Sequence, residues 1–149
     1  MADPRDLAVI LRAERIQQGR AQKYISRRLG IGQAAMCTLE RGHGLPTPSR
    51  LLVWANVLGQ QVIVRKGWEW TAPVHSITDL IALLRDQRLT NGWNYTEAGE
   101  RAGVHPRQIS HWEAGRMTPS LPGLARWLTA YGWRLDIRAA APTTPRSTP

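Results

Sequence analysis

The ten residues His111–Ser120, HWEAGRMTPS, have a counterpart 73 positions earlier in Thr38–Thr47, TLERGHGLPT. Each stretch sets a glutamate two residues before a glycine and a proline four residues after it. Extending the comparison outward aligns Asp6–Arg65 with Asp79–Arg138 without a gap. Identical pairs are spread along the whole length: Leu7/Leu80, Leu11/Leu84, Arg15/Arg88, Gly30/Gly103, Glu40/Glu113, Gly42/Gly115, Pro46/Pro119, Trp54/Trp127, Gly59/Gly132 and Arg65/Arg138. A pattern distributed in this way points to two copies of one fold. The expected organisation is a first unit over 1–66, a linker over 67–76, a second unit over 77–138 and a disordered Pro/Thr/Ser-rich tail over 139–149.

Each copy reads as four short helices and a terminal strand. Asp3-Pro4 supplies a cap and a first-turn proline for the first helix, whose Leu7, Ile10 and Leu11 form an apolar stripe matched by Leu80, Leu83 and Leu84. Ser76-Ile77-Thr78-Asp79 has the spacing of a capping box. The second helix is expected over Gln22–Leu29 and Tyr95–Ala102, and Gly30 or Gly103 stops it. The third follows at once, over Gln33–Arg41 and Pro106–Ala114. Thr47-Pro48 and Ser120-Leu121-Pro122 open the fourth, which turns Leu51, Trp54, Leu58 and Leu124, Trp127, Tyr131 inward. Then come QQVIVR and WRLDIR, both with strand character. The fold class is mainly α: two tandem helix-turn-helix units, each ending in a short strand.

The chain of 149 residues carries 20 Lys and Arg against 11 Asp and Glu, a net charge of +9. That balance favours a polyanionic partner. Only Lys23 and Lys66 are lysines; the remaining cations are arginines, whose planar fork suits phosphate and guanine. Cys37 is the only cysteine, which excludes an internal disulfide and fits a reducing compartment. No segment is apolar enough to cross a bilayer. The histidines His43, His75, His105 and His111 make no metal set with Cys37, and no nucleophile–base–orienter trio is present. The expectation is a non-enzyme without metal or cofactor, cytoplasmic and nucleoid-associated, with no membrane contact.

Two helices joined across a glycine, the second short and followed by a loop, form the helix-turn-helix pattern. The run Arg15…Gln22-Lys23-Tyr24-Ile25-Ser26…Leu29-Gly30-Ile31…Leu39-Glu40-Arg41-Gly42…Pro46, and Arg88…Ala98…Ala102-Gly103-Val104…Trp112-Glu113-Ala114-Gly115…Pro119 in the second copy, resembles the Xre/Cro family of phage and bacterial repressors. The second copy departs from that pattern with Tyr95 where the family favours glutamine and Gly99 where it favours alanine. The resemblance implies a sequence-specific regulator, a repressor of mobile-element type foremost, that binds double-stranded DNA. It also implies that Arg15 pairs with Glu40 and Arg88 with Glu113, as structural ion pairs. Met36, Leu39, Ile109 and Trp112 are core residues on this reading. Base contacts fall to Gln33, Ala34, Ala35 and Thr38 in the first copy, and to Pro106, Arg107, Gln108 and His111 in the second. Phosphate contacts fall to Gln22, Lys23 and Arg41, and to Tyr95, Thr96 and Arg116.

Antitoxin-like members of that family pair the terminal strand across a two-fold axis. Here one chain owns both strands, so Val62–Arg65 is expected to pair with Leu135–Arg138 and make the monomer an intramolecular pseudo-dimer, with Trp68, Trp70 and Trp133 covering the ribbon. A homodimer would present four recognition helices. A local hairpin of Ile63–Arg65 onto Trp68–Trp70 competes with that pairing. The alternative function is a protein-interaction module, an antitoxin or adaptor acting on a partner protein, served by the tryptophans outside the predicted core.

Overall fold

A computed structural model describes residues 3–140. Among these residues the order of elements is α1 (Pro4–Gln17), α2 (Gln22–Leu29), α3 (Gln33–Glu40), α4 (Pro48–Val57), β1 (Gln60–Lys66), β2 (Trp70–Pro73), α5 (Ile77–Thr90), α6 (Tyr95–Ala102), α7 (Pro106–Glu113), α8 (Leu121–Thr129) and β3 (Arg134–Ala139). The chain is thus mainly helical, with one small antiparallel sheet in the order β2-β1-β3.

The helix boundaries follow from local chemistry. Asp3, Thr47, Ser76, Asn94 and Ser120 sit at N-cap positions and accept a hydrogen bond from a backbone N–H two or three residues on, at 2.9–3.2 Å. Such caps satisfy amides that the helix cannot. Gly30 and Gly103 end α2 and α6 at φ 68° and 71°, left-handed values that a side chain would resist. A three-residue turn can therefore redirect the chain straight into α3 and α7.

One continuous apolar cluster joins both halves. It contains Leu7, Leu11, Ile25, Met36, Leu51 and Trp54 from the first, and Leu80, Leu84, Ile109, Leu124, Trp127 and Leu128 from the second. Leu51, Leu52, Val62, Leu121, Leu124 and Leu135 line one small apolar pocket where the halves meet. The sheet rests on α1, α4 and α8, while α3 packs on α1 and α2, and α7 on α5 and α6.

The register of the β1–β3 ladder has the symmetry of a two-fold interface. Ile63 faces Asp136, which is its own equivalent 73 positions later. On either side Val62 faces Ile137 and Val64 faces Leu135, so each residue meets the equivalent of the other's position. An isologous contact between two copies requires this relation. Val62, Val64, Leu135 and Ile137 turn one face of the ladder into the core. Arg65 and Asp136 form a cross-strand ion pair at 3.2 Å.

Several expectations are corrected. Residues 67–76 are not a bare linker, because β2 pairs with the other edge of β1, placing Ile63 opposite Pro73 and Lys66 opposite Trp70. The hairpin and the β1–β3 ribbon do not compete, since a strand has two edges and β1 uses both. The returning strand starts at Trp70 rather than Trp68. Trp68 stands at the hairpin tip, 95% exposed, with the Arg65 guanidinium carbon 5.9 Å from its ring centroid, whereas Trp133 is buried and meets Trp70 at 5.2 Å between ring centroids. Ile10 is 40% exposed, because Leu7, Ala8 and Leu11 already fill the buried side of α1. Leu39 is half-buried rather than core, while its equivalent Trp112 is buried and reaches Trp127. Gly123 leaves the room for that indole, since a Cβ there would come within 3.2 Å of it. The expectation of disorder fails at Ala139, which belongs to β3; its remainder over 141–149 lies outside the described residues.

Candidate nucleic-acid interface

The third helix of each half is fixed from below. Arg15, near the end of α1, donates to Glu40 at the end of α3 through Nε (2.6 Å to Oε2) and Nη2 (3.0 Å to Oε1), and through Nη1 to the Arg20 carbonyl (2.7 Å). Arg88 repeats the set with Glu113 (2.7 and 2.9 Å) and the Trp93 carbonyl (2.9 Å). The Arg88 and Glu113 side chains are 10% and 3% exposed. A bidentate pair of this kind fixes orientation as well as distance. It clamps α3 to α1 and α7 to α5. The Arg88 guanidinium is held above its ordinary pKa chiefly by the hydrogen bond to Glu113, with burial opposing.

The residues beside each clamp differ. Gln22 donates its side-chain amide to Glu40 (2.8 Å), so this residue completes the clamp in the first half. At the equivalent position Tyr95 lays its ring 4.4 Å from the Arg88 guanidinium carbon. Both are residues expected on phosphate, and both are tied to the ion pair at α1 or α5. The third leg of each clamp, a backbone carbonyl, is invisible in a side-chain pattern.

Above the clamp, each third helix keeps one face open. Met36 and Ile109 are fully buried beneath it. Gln33, Ala34, Ala35 and Thr38 on α3 are exposed, as are Arg107 and Gln108 on α7; Pro106 and His111 are half-exposed. Thr38 Oγ1 donates back to the Ala34 carbonyl (3.0 Å). Lys23, Arg41, Thr96 and Arg116, the remaining residues expected on phosphate, are all exposed on the second helices or on the segments after α3 and α7. The structure thus collects the expected base-facing residues of each half on one helix, with the expected phosphate-facing ones on the preceding helix or just after it.

Two further residues shape α7. His105 accepts a hydrogen bond at Nδ1 from the Arg107 N–H (3.1 Å), which caps the helix, and Pro106 occupies its first turn. Gly99, the departure in α6, has a close-packing role: a Cβ there would fall 2.7 Å from the Val104 carbonyl oxygen and 3.1 Å from the Pro106 nitrogen. The proline that opens α7 and the glycine in α6 are therefore coupled. The equivalent Ser26 is buried and bonds to the Lys23 carbonyl (3.2 Å).

This arrangement is that of a helix-turn-helix unit, and residues 79–141 match the family model described as a helix-turn-helix domain. The match runs from the first turn of α5 through α8 to β3. No curated protein and no solved structure gives a significant match. No helix among the described residues is long and apolar enough to cross a membrane.

Proposed function

We propose that the chain is a sequence-specific, double-stranded-DNA-binding transcriptional regulator of the Xre/Cro type, acting as a repressor at the nucleoid, without catalytic activity. Two tandem helix-turn-helix units form an intramolecular pseudo-dimer. Its recognition helices, α3 and α7, address two successive major grooves about 34 Å apart. Because Gln33, Ala34 and Thr38 differ from Arg107, Gln108 and His111, the two half-sites differ. Arg107 is matched to guanine, Gln108 to adenine, and Ala34 and Thr38 to a thymine methyl.

The observation that carries the reading is the open face of α7. Arg107 and Gln108 stand exposed, with no side-chain hydrogen bond among the described residues, on a helix whose other face is locked by Ile109, Trp112 and the Arg88–Glu113 clamp. The self-equivalent register of β1 and β3 supports the two-half-site part, since a duplex offers its grooves with the same local two-fold. Selection of bound duplexes from a random pool tests the reading. Arg107→Ala is then expected to weaken the selected duplex by about 1–3 kcal/mol and to relax one base position. Equal affinities of variant and parent would remove the base-reading assignment.

A second reading rests on Trp68, an almost fully exposed tryptophan at the β1–β2 tip. Such a residue suits the hot spot of a protein interface, and the chain would then be an antitoxin or adaptor with secondary DNA binding. Binding that weakens steeply with salt favours the first reading.

A further inference from the structure

Resting on the DNA reading above, we infer that the two halves divide the work. The first half holds the phosphate backbone and the second reads bases, so the cognate duplex has one strongly specified half-site and one tolerant half-site.

Charge is the first observation. Residues 3–66 hold eleven Lys and Arg against four Asp and Glu, whereas residues 77–138 hold eight against six. While the second half has Arg107 and Arg116 where the first has Ala34 and His43, part of the excess lies around the first recognition helix. Lys23, Arg27 and Arg41 are exposed there, and their equivalents in the second half are Thr96, Glu100 and Ala114. Tyr24 adds a cationic stack, with the Arg20 and Arg28 guanidinium carbons 4.4 and 3.5 Å from its ring centroid; its equivalent is Glu97.

Helix capping is the second. α2 and α3 begin after Ala21 and Gly32, and neither start carries a side-chain cap. α6 and α7 are capped by Asn94 and His105. Uncapped first-turn amides at the positive end of a helix are donors for phosphate oxygens. In α6 these amides are partly taken, and Glu97 in the first turn repels an anion.

The base-facing chemistry is the third. Ala34 and Ala35 offer only methyl groups, and the Thr38 hydroxyl donates to its own helix. Among those four positions Gln33 alone has free N–H donors. α7 presents a guanidinium, an amide and an imidazole, all on a capped helix.

Exchanging residues between equivalent positions tests the division, because each replacement already exists in the same setting in the other half. The full chain carries either Lys23→Thr/Arg27→Glu/Arg41→Ala or Arg107→Ala/Gln108→Ala. Affinity for the selected duplex and for a scrambled duplex is read by fluorescence anisotropy across a salt series, with circular dichroism matched to the parent. The triple variant is expected to weaken both duplexes by the same factor, about tenfold or more, and to flatten the plot of log K against log salt by about 0.9 for each phosphate no longer neutralised. The double variant is expected to lower the ratio between the two duplexes about tenfold or more, with a slope change equivalent to one phosphate at most. Arg107→Lys, which keeps the charge and loses the fork, is expected to follow the double variant in ratio and the parent in slope. If a multiple variant unfolds, Lys23→Thr and Arg107→Lys carry the same comparison. The division is overturned if the triple variant weakens only the selected duplex, or if the double variant weakens both duplexes equally. A parent that retains no duplex overturns the DNA reading itself, and this inference with it.

Discussion

Glu113→Ala is the sharpest test of how α3 and α7 are held. The glutamate accepts two hydrogen bonds from Arg88, at 2.7 and 2.9 Å, and its side chain is 3% exposed. Truncation leaves the guanidinium bonded only to the Trp93 carbonyl, with two donors facing protein. Each stranded donor to a charged partner costs about 1–3 kcal/mol, and breaking a buried pair costs about 3–5 kcal/mol in total. Arg88 keeps a 10% exposed edge through which water can reach it, so the low end applies, about 3 kcal/mol. For a chain of this size that corresponds to a fall in Tm of roughly 6–12 °C. Urea unfolding followed by tryptophan fluorescence and by circular dichroism reads it, and coincident curves verify a two-state transition. Replacing both partners, Arg88→Met/Glu113→Leu, is expected to recover most of the loss, because no charge is then stranded. Glu40→Ala is expected to cost about 1 kcal/mol more, since Glu40 also accepts from Gln22 at 2.8 Å. A Glu113→Ala loss under about 1 kcal/mol, the range of exposed ion pairs, would refute the clamp.

Gly99→Ala is expected to destabilise by about 1–3 kcal/mol, because its Cβ would meet backbone rather than a flexible side chain; an unchanged melting curve contradicts the coupling to Pro106. Burial holds the Tyr131 phenol above its ordinary pKa. The stability this lends is therefore intact below the ordinary phenol range near ~10 and is lost as pH rises through the folded value. Tyr131→Phe is expected to shrink the alkaline fall of the urea midpoint between neutral pH and pH ~11, and an identical fall in both proteins rules the cause out. Expressed separately, residues 3–75 are expected to self-associate through β1, with Ile63 facing Ile63 and Val62 facing Val64. Residues 76–140 are expected to resist this, because like charges at Asp136 would meet on the axis. Sedimentation over a concentration series reads the difference; self-association of the second piece alone contradicts it.

Most of the helical scaffold was legible in the sequence, because its determinants are local. Asp3-Pro4, Thr47-Pro48, Gly30 and Gly103 act through hydrogen bonds and backbone conformations a few residues away, and α2 and α6 run where those signals place them. The 73-residue repeat pointed to the β1–β3 pairing, whereas the β1–β2 hairpin entered only as its competitor, although a strand has two edges. What escaped depends on neighbours distant in sequence. Leu39 and Trp112 occupy equivalent positions, yet only the second finds a glycine, Gly123, that makes room for it. Trp68 and Trp133 are chemically alike, but one lies at a hairpin tip and the other against Tyr131 and Trp70. On the candidate interface, the family resemblance supplied the expected base-facing residues of α3 and α7, and the structure adds their exposure; the ties of Gln22 and Tyr95 to the clamps were not legible, because they depend on side-chain geometry.

Hydroxyl-radical footprinting on a selected duplex, combined with the stoichiometry of the complex, reads how one chain engages two grooves. A single chain is expected to protect two backbone segments on one face of the duplex, one helical turn apart, with bases specified beneath one segment more strongly than beneath the other. Protection of a single segment by one chain, or of two segments only when two chains bind, would contradict this mode of binding.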